Sequence, residues 1–111
     1  MVKYKIYQLS VEDDNSPGFA YKFWDWDKIQ LKLQDNNISL SEFLNMYELK
    51  YESEIEEGKS TIGTLETIYR MFNDYNLMPD DFKGHSLSMS DIVELDDKKY
   101  ICDTIGFAEV K

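Results

Sequence analysis

This chain of 111 residues has little of several things that give proteins their chemistry: one cysteine, one histidine, two prolines, five scattered glycines, and twelve basic residues against twenty-two acidic ones. Each shortage excludes a class of function. With only His85 and Cys102, the common zinc arrangements of three or four Cys and His ligands are unavailable, and neither a metal nor a cofactor is expected. There is no G-x-x-x-x-G-K-[ST] and no G-x-G-x-x-G, so no glycine loop is present to cradle phosphate. A lone cysteine forms no internal disulfide and suits a reducing cytoplasm. Cys102 lies in a predicted strand, with no neighbouring cationic cluster to lower its pKa, and reads as an inert buried thiol. No apolar run approaches about 18 residues, and Met1–Tyr7 carries lysines without an apolar stretch behind them; a soluble, unexported, cytoplasmic protein is expected.

The formal charge of −10 repels nucleic-acid phosphates and anionic membranes, and no basic patch is segregated along the chain. Neither partner class is expected. The acids gather in Glu48, Glu52, Glu54, Glu56 and Glu57, with Lys50 among them. Such a run ordinarily forms a solvated face that aids solubility; its sharper reading is a surface for a basic partner.

Aromatics are abundant: eight Tyr, six Phe and two Trp, within a 42% hydrophobic composition, supply enough buried area to offset chain entropy in one domain spanning 1–111. Val2-Lys3-Tyr4-Lys5-Ile6 alternates with period two and predicts a strand with Val2, Tyr4 and Ile6 on one face. Glu12 to Gly18 is turn-rich and reads as an exposed loop; Asp13-Asp14 lacks the spaced oxygen ligands of a calcium loop. Alternation over Phe19–Phe23 predicts a second strand. Asp25 then caps a helix carrying Trp26, Ile29 and Leu33 on one side and ending at Asn36-Asn37. Phe19, Tyr21, Phe23, Trp24 and Trp26 lack the interleaved Arg and Lys of a base-stacking platform and read as core. Trp24 and Trp26 cannot both point inward from one strand, so one of them is a candidate contact residue.

Ile38-Ser39-Leu40-Ser41-Glu42-Phe43 holds a capping box, Ser39 with Glu42, and a hydrophobic staple, Ile38 with Phe43. A short helix to about Met46 follows, then a strand with Tyr47, Leu49 and Tyr51 inward. A helix from Thr61 or Thr64 places Leu65, Ile68, Phe72 and Tyr75 on one stripe before Pro79. In the last quarter, Gly84-His85-Ser86-Leu87-Ser88-Met89-Ser90-Asp91 leads into a hairpin. The hairpin runs on through Ile92-Val93-Glu94-Leu95 and Lys99-Tyr100-Ile101-Cys102-Asp103, and Gly106-Phe107 closes it, with Gly106 at a turn needing positive φ and Asp103 bonding the turn's backbone donors.

His85, the serines and Asp91 contain every side-chain type of a Ser-His-Asp triad within seven residues. The frame is missing, because a working triad joins separate elements through a nucleophile elbow and an oxyanion hole. The serines read instead as local backbone partners and His85 as a hydrogen-bonded turn residue; its alternative roles are a contact residue or a switch titrating near neutrality.

The serine-rich approach, the hairpin and the closing Gly106-Phe107 together resemble the YodL-like domain. So do Tyr47-x-x-x-Tyr51 followed by an acid, and Phe72-Asn73 before Pro79. The resemblance is carried mainly by residues from Thr64 onward. It implies a small module found in bacterial chromosomes, prophages, plasmids and conjugative elements, often within longer proteins and with no assigned chemistry. The expected fold is α+β: a mostly antiparallel sheet of about five strands, two main helices and one short helix packed on one face, and a C-terminal β-hairpin. The expected function is a noncatalytic, monomeric module that binds a cytoplasmic protein through Trp24 or Trp26, the acidic Glu52, Glu54, Glu56 and Glu57, or His85. The alternative is an acidic inhibitor imitating nucleic-acid charge, of anti-restriction or anti-CRISPR type. A small enzyme with a site near His85 is more remote still.

Overall fold

The computed structural model describes residues 1–111. Five strands form one antiparallel sheet: β1 (Val2–Gln8), β2 (Glu48–Ile55), β3 (Ile92–Leu95), β4 (Lys98–Cys102) and β5 (Phe107–Glu109), in the order β2-β1-β3-β4-β5. Three helices, α1 (Trp26–Asp35), α2 (Leu40–Leu44) and α3 (Thr61–Met71), complete the α+β fold. The N-terminal strand is therefore internal, paired on both sides.

Helix boundaries follow the local chemistry. Asp25 accepts from the Lys28 N–H at 2.8 Å and caps α1. At its other end Asn37 adopts φ +56°, letting the Ile38 N–H donate to Leu33 O at 2.8 Å, which satisfies a carbonyl the helix would otherwise leave free. The capping box of α2 forms as expected: Glu42 N–H donates to Ser39 Oγ, and Ser39 N–H donates to the Glu42 carboxylate. Ser60 caps α3 through the Gly63 N–H.

Strand alternation splits the core in two. Tyr4, Ile6, Val93, Leu95, Tyr100 and Cys102 pack under Leu65, Ile68 and Phe72 of α3. Ile92 and Ile101 point the other way, toward Trp26, Ile29 and Leu33 of α1 and Phe43 of α2. The helices thus divide between the two faces of the sheet instead of sharing one, because β3 and β4 are apolar on both sides. Each half has an aromatic centre. Phe72 lies 4.8 Å from Phe82, 5.6 Å from Tyr51 and 6.2 Å from Tyr4; Phe43 lies 5.2 Å from Tyr47 and 5.5 Å from Tyr21, mostly edge to face.

Three local expectations give way to tertiary structure. Phe19–Tyr21 forms a 3₁₀ turn, not a strand, with Tyr21 buried and Phe23 exposed; the fifth strand is β5, after the Gly106 turn. In β2 a bulge opposite Ile6 and Tyr7 makes Lys50 an extra residue, so Tyr51 packs inward while Leu49 is half exposed. Helix α3 ends before Tyr75, which is 93% exposed. The hairpin itself turns at Asp96-Asp97, both at positive φ, the geometry of a two-residue type I′ turn.

Phe72 is completely buried, so Phe72→Ala should destabilise by about 3–5 kcal/mol. Gly106 sits at φ +68° with open space where a side chain would start, so Gly106→Val should cost about 1–3 kcal/mol through backbone conformation alone. Phe107→Ala should cost less than Phe72→Ala, because Phe107 is only partly buried. Thermal unfolding measures all three; a wild-type melting temperature for Gly106→Val would contradict the left-handed turn.

Candidate functional site

The inward face of β1 runs Val2, Tyr4, Ile6 and then Gln8, an amide with no exposed surface. Such a side chain needs every polar atom bonded, and Gln8 achieves it across the fold. Its Nε2 donates to the His85 carbonyl at 2.8 Å and to Asp91 Oδ2 at 3.0 Å, while its Oε1 accepts from the His85 N–H at 3.2 Å. Asp91, 2% exposed, also accepts from the Ser88 N–H at 2.7 Å through Oδ2. Gly84 permits the close approach: a Cβ there would overlap Gln8 Oε1 and lie 2.7 Å from the Phe82 ring.

His85 completes the cluster. Its Nδ1 lies 2.7 Å from the Ser86 carbonyl, which can only accept, and this assigns the proton to Nδ1. Nε2 is buried, has no hydrogen-bond partner, and faces Asp91 Oδ1 at 3.8 Å. Phe23 covers the imidazole edge to face, with centroids 5.9 Å apart. Burial pushes the Asp91 carboxyl from its ordinary value of 3.8 up to about 8, against the lowering effect of the Ser88 and Gln8 hydrogen bonds. The gap of 3.8 Å between Asp91 Oδ1 and Nε2 is longer than a hydrogen bond.

The surrounding backbone is bent to fit. Phe23 and Ser90 adopt φ +66° and +78°, and the Phe23 N–H donates to Ser90 Oγ at 2.9 Å. Left-handed backbone at non-glycine residues costs on the order of 1–3 kcal/mol each, and here the pair is held by further bonds. Tyr47 Oη donates to Ser90 O at 2.6 Å, and Ser90 and Asp91 exchange backbone bonds with Cys102 at 3.0 and 2.8 Å. Burial raises the Tyr47 and Cys102 pKa values, with the Asp91 charge adding to both. The Cys102 thiol is accordingly held in its unreactive protonated form.

The triad side-chain types are bonded for other purposes. Ser88 Oγ donates to the Ser86 carbonyl at 2.9 Å, Ser90 Oγ receives Phe23, and neither hydroxyl bonds His85. What the cluster can do chemically is hold a proton on the buried Asp91 carboxyl. The sequence reads Phe23 as core, Tyr47 as an inward strand residue and Ser90 as a local backbone partner; it passes over Gln8, whose one signal is that of a polar residue continuing the inward period of β1.

The remaining candidates are dispersed. Trp26 is buried against Phe43, and its backbone N–H donates to Asp103 Oδ1 at 3.1 Å, which ties α1 to the closing turn. Trp24 is half-buried, with Lys28 Nζ 4.1 Å from the ring centroid, so it is the more accessible of the two. Glu52 and Glu54 stand on β2 opposite Lys5 and Lys3, while Glu56 and Glu57 are exposed beyond it. At the opposite end of the sheet, Glu66, Tyr69, Asp103, Thr104, Gly106 and Phe107 line a groove of about 250 Å³. Tyr69 meets Phe107 edge to face at 6.3 Å, and Ile105 projects 90% exposed from the same turn.

These features define a small α+β domain built around a buried amide–carboxylate lock. No helix is long and apolar enough to cross a membrane. The sequence pattern of the YodL-like domain matches residues 3–111, essentially the whole chain, and the chain belongs to that family. No curated protein and no solved structure matches it.

Because the folded pKa of Asp91 is raised, folding binds a proton in the window between 3.8 and about 8. Its contribution is therefore full below the lower value and is lost as pH rises through the upper one. Asp91→Asn, which keeps the acceptor and supplies an N–H toward Nε2, should flatten the decline of melting temperature across that window relative to wild type. Parallel curves would contradict a buried protonated acid.

Proposed function

We propose that this domain is a noncatalytic protein-interaction module whose partner is a cytoplasmic protein of a bacterium or of a mobile element carried by one. The observation that carries this reading is the contrast between its interior and its surface. Ser88, Ser90 and Asp91 are committed to internal bonds and Cys102 is buried, whereas Ile105, Tyr69 and the edge of Phe107 stand exposed together beside a groove at the C-terminal turn. Aromatic and aliphatic groups on a rigid turn are suited to anchor a partner, with Glu66, Asp103 and Thr104 as a polar rim. The buried, unpaired thiol of Cys102 is compatible with a reducing compartment.

A second reading, an acidic inhibitor imitating nucleic acid, draws on the gathering of Glu52, Glu57, Glu94, Asp96 and Asp97 at the uncovered end of the sheet. Lys3 and Lys5 stand in the middle of that group, and Lys5 lies 4.0 Å from Glu52 and 3.9 Å from Glu94, which dilutes the negative potential. An enzyme centred on His85 has the least support, since the imidazole faces a carboxylate and no nucleophile.

Affinity capture from host lysate separates these readings. Ile105→Asp should lose the partner retained by wild type, with an unchanged melting temperature, and His85→Ala should keep it. Loss with His85→Ala at an unchanged melting temperature, with Ile105→Asp retained, would move the contact surface from the C-terminal turn to His85. A complex that tolerates Ile105→Asp but collapses between low and high salt would favour the acidic inhibitor.

A further inference from the structure

Strand β2, the longest of the sheet at eight residues, lies at its edge, paired only with β1. Its backbone takes part in no turn, cap or side-chain hydrogen bond along residues 48–55, so the outer row of N–H and C=O groups is free. It contains no proline, and five of its eight residues are exposed. Natural edges are commonly shortened, covered or charged to prevent pairing. This one is only charged, and the charge has an order.

On the face that carries α1 and α2 elsewhere, the open end of the sheet is paved with residues of alternating sign, strand by strand. Lys99 on β4 lies 3.0 Å from Glu94 on β3, Glu94 lies 3.9 Å from Lys5 on β1, and Lys5 lies 4.0 Å from Glu52 on β2. A second row repeats the last step, with Lys3 opposite Glu54. The alternation stops at β2 with two carboxylates, two positions apart, at a free edge; Glu52 is 63% exposed. On the reverse face the same stretch offers Tyr51, Ser53 and Ile55, with Tyr51 and Ile55 half-buried against the core.

We propose that the β2 edge takes up one extended segment of a partner protein as a sixth strand, with Lys or Arg at alternate positions opposite Glu52 and Glu54 and apolar residues between them. Main-chain hydrogen bonds supply affinity in this mode, and the alternating side chains select the segment. A cation at each position continues the sign alternation across the sheet, where like charges directly opposite destabilise. The same rule opposes self-pairing of this edge in the antiparallel register centred on Ser53, which sets Glu52 against Glu54 twice. This inference rests on the interaction-module reading and names its partner's chemistry.

The test uses the full chain and synthetic peptides the length of β2, followed by amide chemical shifts. A peptide with lysine at every second position and valine between should shift the amides of residues 48–55 and 2–8. N-methylation of the peptide's alternate N–H groups on the pairing side should weaken it by roughly tenfold or more. Glu52→Lys combined with Glu54→Lys should reverse the preference toward the glutamate counterpart of the peptide. Binding that survives N-methylation on both sides, shifts located elsewhere, or no binding at all would overturn the proposal. If these fail while Ile105→Asp still abolishes lysate capture, the interaction-module reading stands and only the edge is wrong.

Discussion

One buried amide decides how the two ends of this chain meet. Gln8 closes the inward row of β1, an internal strand, and having no access to water it must find its partners in protein. It finds them more than seventy positions away, in His85 and Asp91. These bonds hold the segment between α3 and β3 against the end of β1, and Asp91 passes the constraint on through Ser88 and Cys102. An apolar residue at position 8 would leave the His85 N–H and carbonyl without partners, and Asp91 with the Ser88 N–H alone, a cost of about 1–3 kcal/mol for each unsatisfied group.

From that lock the surrounding irregularities acquire a cause. Ser90 turns left-handed just before Asp91 and meets the left-handed Phe23, whose ring covers the His85 imidazole. Gly84 is small because Gln8 needs the space. The sheet's extremities are freed from this constraint, and they differ in character: an apolar corner at β5 and a charged open edge at β2. Both leave surface for a partner while the polar interior is closed.

Much of the architecture was legible in the residues because it depends on local rules. Ser39 with Glu42, Asp25 before Trp26, the helical stripe Leu65–Ile68–Phe72 and the glycine of the closing turn each act within a few positions. Phe19–Phe23 alternated like a strand but forms a turn that sends Tyr21 into the aromatic cluster of Trp24 and Phe43, a contact between distant segments that no local period announces. The bulge at Lys50 depends on β1, and no period within β2 announces it. Trp24 and Trp26 competed for the interior, and α1 buries Trp26. The candidate site was the least legible part. His85 and Asp91 were visible as residues, but their partner Gln8 and the cover from Phe23 come from distant segments.

Hydrogen exchange at single amides tests the central role of the lock most directly. The N–H groups of His85, Ser88 and Phe23 donate to side chains, not to a helix or strand, at 3.2, 2.7 and 2.9 Å. If Gln8 and Asp91 hold the fold together, these three amides exchange as slowly as those of β1 and β3, and Gln8→Ala releases all three. Fast exchange at His85 and Ser88 in the wild-type protein, with the sheet still protected, would contradict the account.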